Sequence, residues 1–145
     1  MNDFVVVDAS VAVKWLVREA YSVEALELVA SWAAAGVTLV APHLMPAEVS
    51  NALHKRVVSD ELSVTAASRQ IELLVASGME LIETPSLHVR ALALASELNQ
   101  TAAYDAHYLA LAEELDCEFW TADARFYRAA APTIDRIRLL GAVTS

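Results

Sequence analysis

The chain has 145 residues, 57% of them hydrophobic, with only three glycines and four prolines. This length and composition predict a single domain over residues 1–145 and exclude a disordered or linker-rich chain. A net charge of −9 excludes nucleic-acid binding by bulk electrostatics alone, and one cysteine, Cys117, excludes an intrachain disulfide.

The N-terminal "MNDFVVVDAS" lacks a basic region, and its apolar run breaks at Asp8. No secretory signal is predicted, and a cytoplasmic location follows from this and the cysteine usage. "FVVV" (Phe4–Val7) predicts a first strand, followed by the helix-compatible "SVAVKWLV". Val23, Leu26, Val29, Ala30 and Ala33 predict a helix with one apolar stripe. Leu28 to Ala47 carries no Lys, Arg, Asp or Glu and is long enough to span a bilayer. Gly36, Pro42, His43 and Pro46 interrupt it, however, and its halves have different periods. It reads as helix, turn, strand and loop, with no membrane span.

"VTLVAP" (Val37–Pro42) predicts the second strand, "MELIETP" (Met79–Pro85) the third, "CEFWT" (Cys117–Thr121) the fourth and "IRLLG" (Ile137–Gly141) a fifth at an edge. Their continuously apolar character predicts strands covered on both faces. Helical stripes fall between them at Val64, Ala67, Ile71, Leu74 and Val75, and at Leu87, Ala91, Leu94, Ala95 and Leu98. Strands alternating with helices predict an α/β fold with a mainly parallel central sheet of four to five strands and helices on both faces.

In such folds ligands bind beyond the carboxyl ends of the strands. Asp8 directly follows the first strand, and Asp123 follows the fourth by two residues. Glu48 opens the helix "AEVSNALHKRVV" after the second strand. Asp105, in "TAAYDAHYLALA", shares a helical face with Tyr108, Leu109 and Ala112, a face that should point at the core. Each acid alone suits a helix cap or first turn. Four acids at the same end of four segments are not explained by independent capping. Clustered carboxylates repel one another and take up protons unless a cation binds them. An all-oxygen set suits magnesium or manganese, and His43, His54, His88 and His107 show no ligand spacing for zinc. Such a site performs phosphodiester cleavage.

"VVVDASVAVKW", "PHLMPAEVSNAL", "YDAHYLALAEEL" and "FWTADARFY" resemble, in order, the acidic motifs of PIN-domain ribonucleases, and most closely those of VapC toxins from bacterial toxin–antitoxin pairs. The likeness runs from Phe4 to about Leu140. It implies an α/β/α sandwich and a magnesium-dependent endoribonuclease, with manganese able to substitute. It also implies that Asp8 and Asp105 are the core metal ligands, completed by Glu48 and Asp123. Ser10, Asn51 and Thr121 match polar positions that support the acids. RNA as substrate, a homodimer and a cognate antitoxin are implied as well.

Lys14, Arg18, Lys55, Arg56, Arg125 and Arg128 follow the acids on their helices and offer a local positive rim for phosphates. Trp15, Phe126 and Tyr127 are candidates for base stacking, with core packing as the competing reading. The rival reading of function is a non-catalytic PIN-like module binding metal or RNA. Other acid-bearing folds fit worse. An adhesion-type metal motif needs a serine where Ala12 stands, a haloacid-type phosphatase needs an aspartate where Ser10 stands, and a receiver domain needs a strand-end lysine that is missing.

Overall fold

The computed structural model describes residues 3–141. Five strands form one sheet: β1 (Phe4–Val7), β2 (Thr38–Ala41), β3 (Glu80–Leu81), β4 (Glu118–Thr121) and β5 (Ile137–Leu139). Their order is β3-β2-β1-β4-β5 and every pairing is parallel. The helices are α1 (Ala9–Leu16), α2 (Ser22–Ala35), α3 (Met45–Val58), α4 (Val64–Val75), α5 (Pro85–Glu97), α6 (Tyr104–Leu115) and α7 (Ala124–Ala130). Together they make the α/β/α sandwich.

The chain builds outward from β1 in one direction through β2 and β3, then returns to the other side for β4 and β5. The neighbouring strands β1 and β4 therefore flank the point where the order reverses, and a crevice opens beyond their carboxyl ends. Val5, Val6 and Val7 are all buried, although successive side chains point to opposite faces, so both faces of β1 are covered. The α5 stripe of Leu87, Ala91, Leu94, Ala95 and Leu98 is buried as its spacing predicts, and α5 packs on α6.

Three expectations about the elements need correction. β3 is only two residues long and both are exposed, because it is an edge strand paired with β2 alone. The stripe predicted for α2 faces outward: Val23 is 65% and Leu26 49% exposed, while Ser22 and Ala25 are buried. Polar contacts fix that rotation. Ser22 Oγ donates to the Val17 carbonyl at 3.0 Å, and Trp15 Nε1 donates to the Ala25 carbonyl at 3.0 Å. In α4, Leu74 is buried, but Val64 and Val75 stand in solvent. Gly36, with φ +73°, ends α2 in the left-handed conformation that glycine adopts most easily. The stretch 28–47 is thus helix, turn, strand, a short loop and the start of α3, and among the described residues no helix is long and apolar enough to cross a membrane.

Candidate active site

The two central strands end in a hydrogen-bonded corner. Asp8 extends β1 with its N–H on the Trp120 carbonyl (3.2 Å), then caps α1 by accepting from the Val11 N–H (3.2 Å). The Ser10 hydroxyl donates to Asp8 Oδ1 at 2.5 Å and accepts from the Ala122 N–H at 2.9 Å. The Thr121 hydroxyl donates to Asp8 Oδ2 and accepts from the Asp123 N–H at 3.0 Å. The two hydroxyls therefore stitch the end of β1 to the end of β4 through one carboxylate. Asp8 is 3% exposed, and burial pushes its pKa up to about 7 against the opposing pull of the two hydroxyls and the Val11 N–H.

Asp105 lies in the first turn of α6, but Ala103 is the residue at the cap position. Among the described residues no donor reaches the Asp105 carboxylate. Burial first, then the charges of Asp123 and Glu48, raise its pKa to about 6. Asp123 caps α7, accepting the N–H groups of Arg125 (3.0 Å) and Phe126 (3.1 Å) on Oδ1. Glu48 stands in the first turn of α3, and its Oε1 accepts a 2.5 Å hydrogen bond from the Tyr108 hydroxyl.

Tyr108 is a participant that sequence reasoning placed only in the core. It is fully buried and stacks on Phe119, with ring centroids 6.1 Å apart and planes 10° from parallel. Burial and the neighbouring carboxylates push its pKa upward, so it stays a proton donor to Glu48. The available signal was its place three residues after Asp105, on the same helical face.

Asp8, Glu48, Asp105 and Asp123 all line one cleft of about 710 Å³. Ser10 and Asn51 line it too, but Asn51 is exposed and forms no hydrogen bond with the acids among the described residues. Lys14, Lys55 and Arg56 line the same cleft, whereas Arg18, Arg125 and Arg128 lie outside the lining. Of the aromatic candidates, Phe126 belongs to the core, and Trp15 and Tyr127 are half-buried against it. The histidines are less scattered than the sequence suggests: His88 Nδ1 lies 3.0 Å from His107 Nε2, between α5 and α6.

Among the described residues no three His, Cys, Asp or Glu side chains converge as a ready-made metal site. The donor chemistry nevertheless fits a hard divalent cation. The set is all oxygen, Asp105 has no protein donor, and Glu48 and Asp123 each have an oxygen that accepts no hydrogen bond among the described residues.

Residues 5–132 match the family model of the PIN domain. The chain therefore belongs to the PIN-domain family, in its VapC group. It is 31% identical over 121 residues to the VapC ribonuclease Mb0985 of Mycobacterium bovis, covering 83% of this chain and 87% of that one. It is 39% identical over 94 residues to ribonuclease VapC1 of Mycobacterium tuberculosis, covering 63% of this chain and 66% of that protein. Among solved structures, PAE2754 of Pyrobaculum aerophilum superposes with a TM-score of 0.67 at 26% identity, over 92% of this chain and 81% of that one.

Proposed function

We propose that the protein is a magnesium-dependent endoribonuclease, the toxin of a toxin–antitoxin pair, cleaving RNA phosphodiester bonds within the acidic cleft. The observation that carries this reading is the meeting of carboxylates from four separate elements in one cleft at the sheet's switch point. Asp8, Glu48, Asp105 and Asp123 would hold the cation, and Asp105, met by no donor among the described residues, is the most available of them. A divalent cation held there would supply Lewis acidity at the phosphodiester and lower the pKa of a bound water.

The chain's own groups do the rest. Ser10 and Thr121 fix the orientation of Asp8, and Tyr108 fixes that of Glu48. Burial around Asp8 strengthens the electrostatic pull of the site on its ligands.

A cognate antitoxin with a basic side chain, an arginine above all, suits this rim, since a guanidinium binds carboxylates bidentately. A homodimer would cover outward apolar residues such as Val89 and Leu92, which are 72% and 68% exposed.

The test is cleavage of single-stranded RNA by rigorously purified protein. Cleavage should appear with magnesium or manganese and stop in excess EDTA. Binding without cleavage under every metal condition would favour the non-catalytic module instead, and cleavage that persists in EDTA would remove the cation from the mechanism.

A further inference from the structure

The cleft has a second half, and its charges are already arranged around an anion. Glu19, in the turn between α1 and α2, places its carboxylate between two cations. Lys14 Nζ is 3.2 Å from Oε1, and the Arg56 guanidinium pairs with Oε2. Lys14 is held further by the Ala20 carbonyl at 2.8 Å, and the far side of Arg56 faces Glu61 at 3.5 Å. The side chains of Lys14, Arg56 and Glu19 are 12%, 23% and 25% exposed, so these charges are only partly screened.

Resting on the nuclease reading, we infer that Lys14 and Arg56 form a cradle for a backbone phosphate of bound RNA, adjacent to the scissile one. Glu19 fills that cradle in the free protein and is displaced when RNA enters.

Three observations support the assignment. First, the cradle lies in the same cleft as the acids and is offset from them in one direction. Lys14 is six residues beyond Asp8 along α1, and Arg56 eight beyond Glu48 along α3, about 9 and about 12 Å of helical rise. α1 and α3 pack together, so their C-terminal halves carry a cationic end of the cleft just as their N-terminal ends carry an acidic one.

Second, a carboxylate that presents one oxygen to each cation has the recognition chemistry of the two non-bridging oxygens of a phosphodiester. Third, a chain of net charge −9 needs a local place for phosphates. With Glu19 seated, Lys14 and Arg56 are matched by two carboxylates, Glu19 and the more exposed Glu61. With Glu19 displaced, Lys14 is freed and Arg56 keeps only the exposed Glu61 as a carboxylate partner, so the cradle turns net positive beside Lys55, which makes no ion pair among the described residues. Glu19 therefore acts as an internal competitor that sets how tightly, and with what salt dependence, RNA is held.

The test uses the full chain and a fluorescein-labelled single-stranded RNA of about 12 nucleotides, with binding read by anisotropy in EDTA from about 50 to about 200 mM salt. Glu19→Gln should bind about 3- to 10-fold tighter at the low-salt end, because the ion pairs that phosphate must break are gone. Its affinity should also fall more steeply with salt, by roughly 0.7 in the logarithmic slope for each cation released to the RNA. Arg56→Gln and Lys14→Gln should weaken binding and flatten the slope. In the Glu19→Gln/Arg56→Gln double variant, the gain from the Glu19 change should shrink, which a merely structural role would not produce.

A folded Glu19→Gln protein that binds RNA no tighter than wild type overturns the inference. If Glu19→Gln does not fold, Glu61→Gln, at an exposed partner of the same guanidinium, must tighten binding in the same direction while Arg56→Gln weakens it; no change in either overturns it equally. Cleavage by the wild type is scored separately. A protein that cleaves RNA but fails the Glu19 arm loses only the cradle, and one that passes the Glu19 arm without cleaving loses only the nuclease reading.

Discussion

The corner where β1 and β4 end and the first turn of α6 face the same cleft, yet their carboxylates are held in opposite ways. Asp8 accepts three hydrogen bonds, caps a helix and joins two strands. Asp105 caps nothing and is met by no donor among the described residues. Both have raised pKa values, and in both cases burial is the leading cause. The first is a carboxylate the fold uses. The second is one the fold merely tolerates, and a half-buried carboxylate kept without a partner points to a ligand from outside.

The sharpest separation of the two comes from Asp8→Ala. Cleavage should fall by more than the roughly 10- to 100-fold typical of losing a partner that only supports a metal ligand. Stability should fall as well, by about 1–3 kcal/mol at pH 5, because a helix cap is lost and the buried Thr121 hydroxyl loses its acceptor. Activity loss without a lower melting temperature would mean that the corner is less important to the fold than its hydrogen bonds indicate.

Next is the pH dependence of the metal-free protein. Asp8 titrates near 7 and Asp105 near 6 when folded, both above the 3.8 of an unperturbed aspartate. Between those limits the folded state binds more protons than the unfolded state, so stability falls as pH rises from about 4 to about 7. Melting in EDTA should therefore be higher at pH 5 than at pH 8. Asp8→Asn should remove most of that slope, and excess magnesium should flatten it by favouring the ionised carboxylates. A melting temperature that rises over the same interval would contradict the sign.

The smallest effect belongs to Tyr108→Phe, which keeps the stacking on Phe119 and deletes one hydroxyl. Cleavage should drop about 10-fold through loss of Glu48 orientation, with a stability change of about 1 kcal/mol in either direction. Unchanged kinetics would confine Tyr108 to packing.

What could be read from the sequence follows from where its patterns are directional. The β-branched run at Phe4–Val7 stops at an acid, and that single break marks both the strand end and Asp8. The α5 stripe is legible because polar residues such as Ser86, His88 and Arg90 lie between its apolar ones. In α2 nearly every side is apolar or alanine, so periodicity pointed to the wrong face, and hydrogen bonds from Ser22 and Trp15 set the rotation instead. The contacts that finish the cleft were also invisible. Tyr108 reaches Glu48 across 60 positions, and Arg56 reaches Glu19 across 37. No local spacing encodes either pair. Asn51 shows the converse: one turn beyond Glu48 put it on the right side of α3, but not in contact with the acids.

If Asp105 exists for a cation, Asp105→Asn reveals it. The substitution keeps the shape, removes the charge and, unlike Asp8→Ala, breaks no hydrogen bond of the described fold. Melting of wild type and variant should be followed with EDTA and with excess magnesium, beside RNA cleavage by the same preparations. In EDTA the variant should be as stable as wild type or more so, since repulsion from Asp123 and Glu48 is relieved. Magnesium should raise the melting temperature of the wild type by mass action and leave the variant nearly unmoved, with cleavage lost. A variant that keeps both its magnesium-induced shift and its cleavage rate would mean that Asp105 holds no cation.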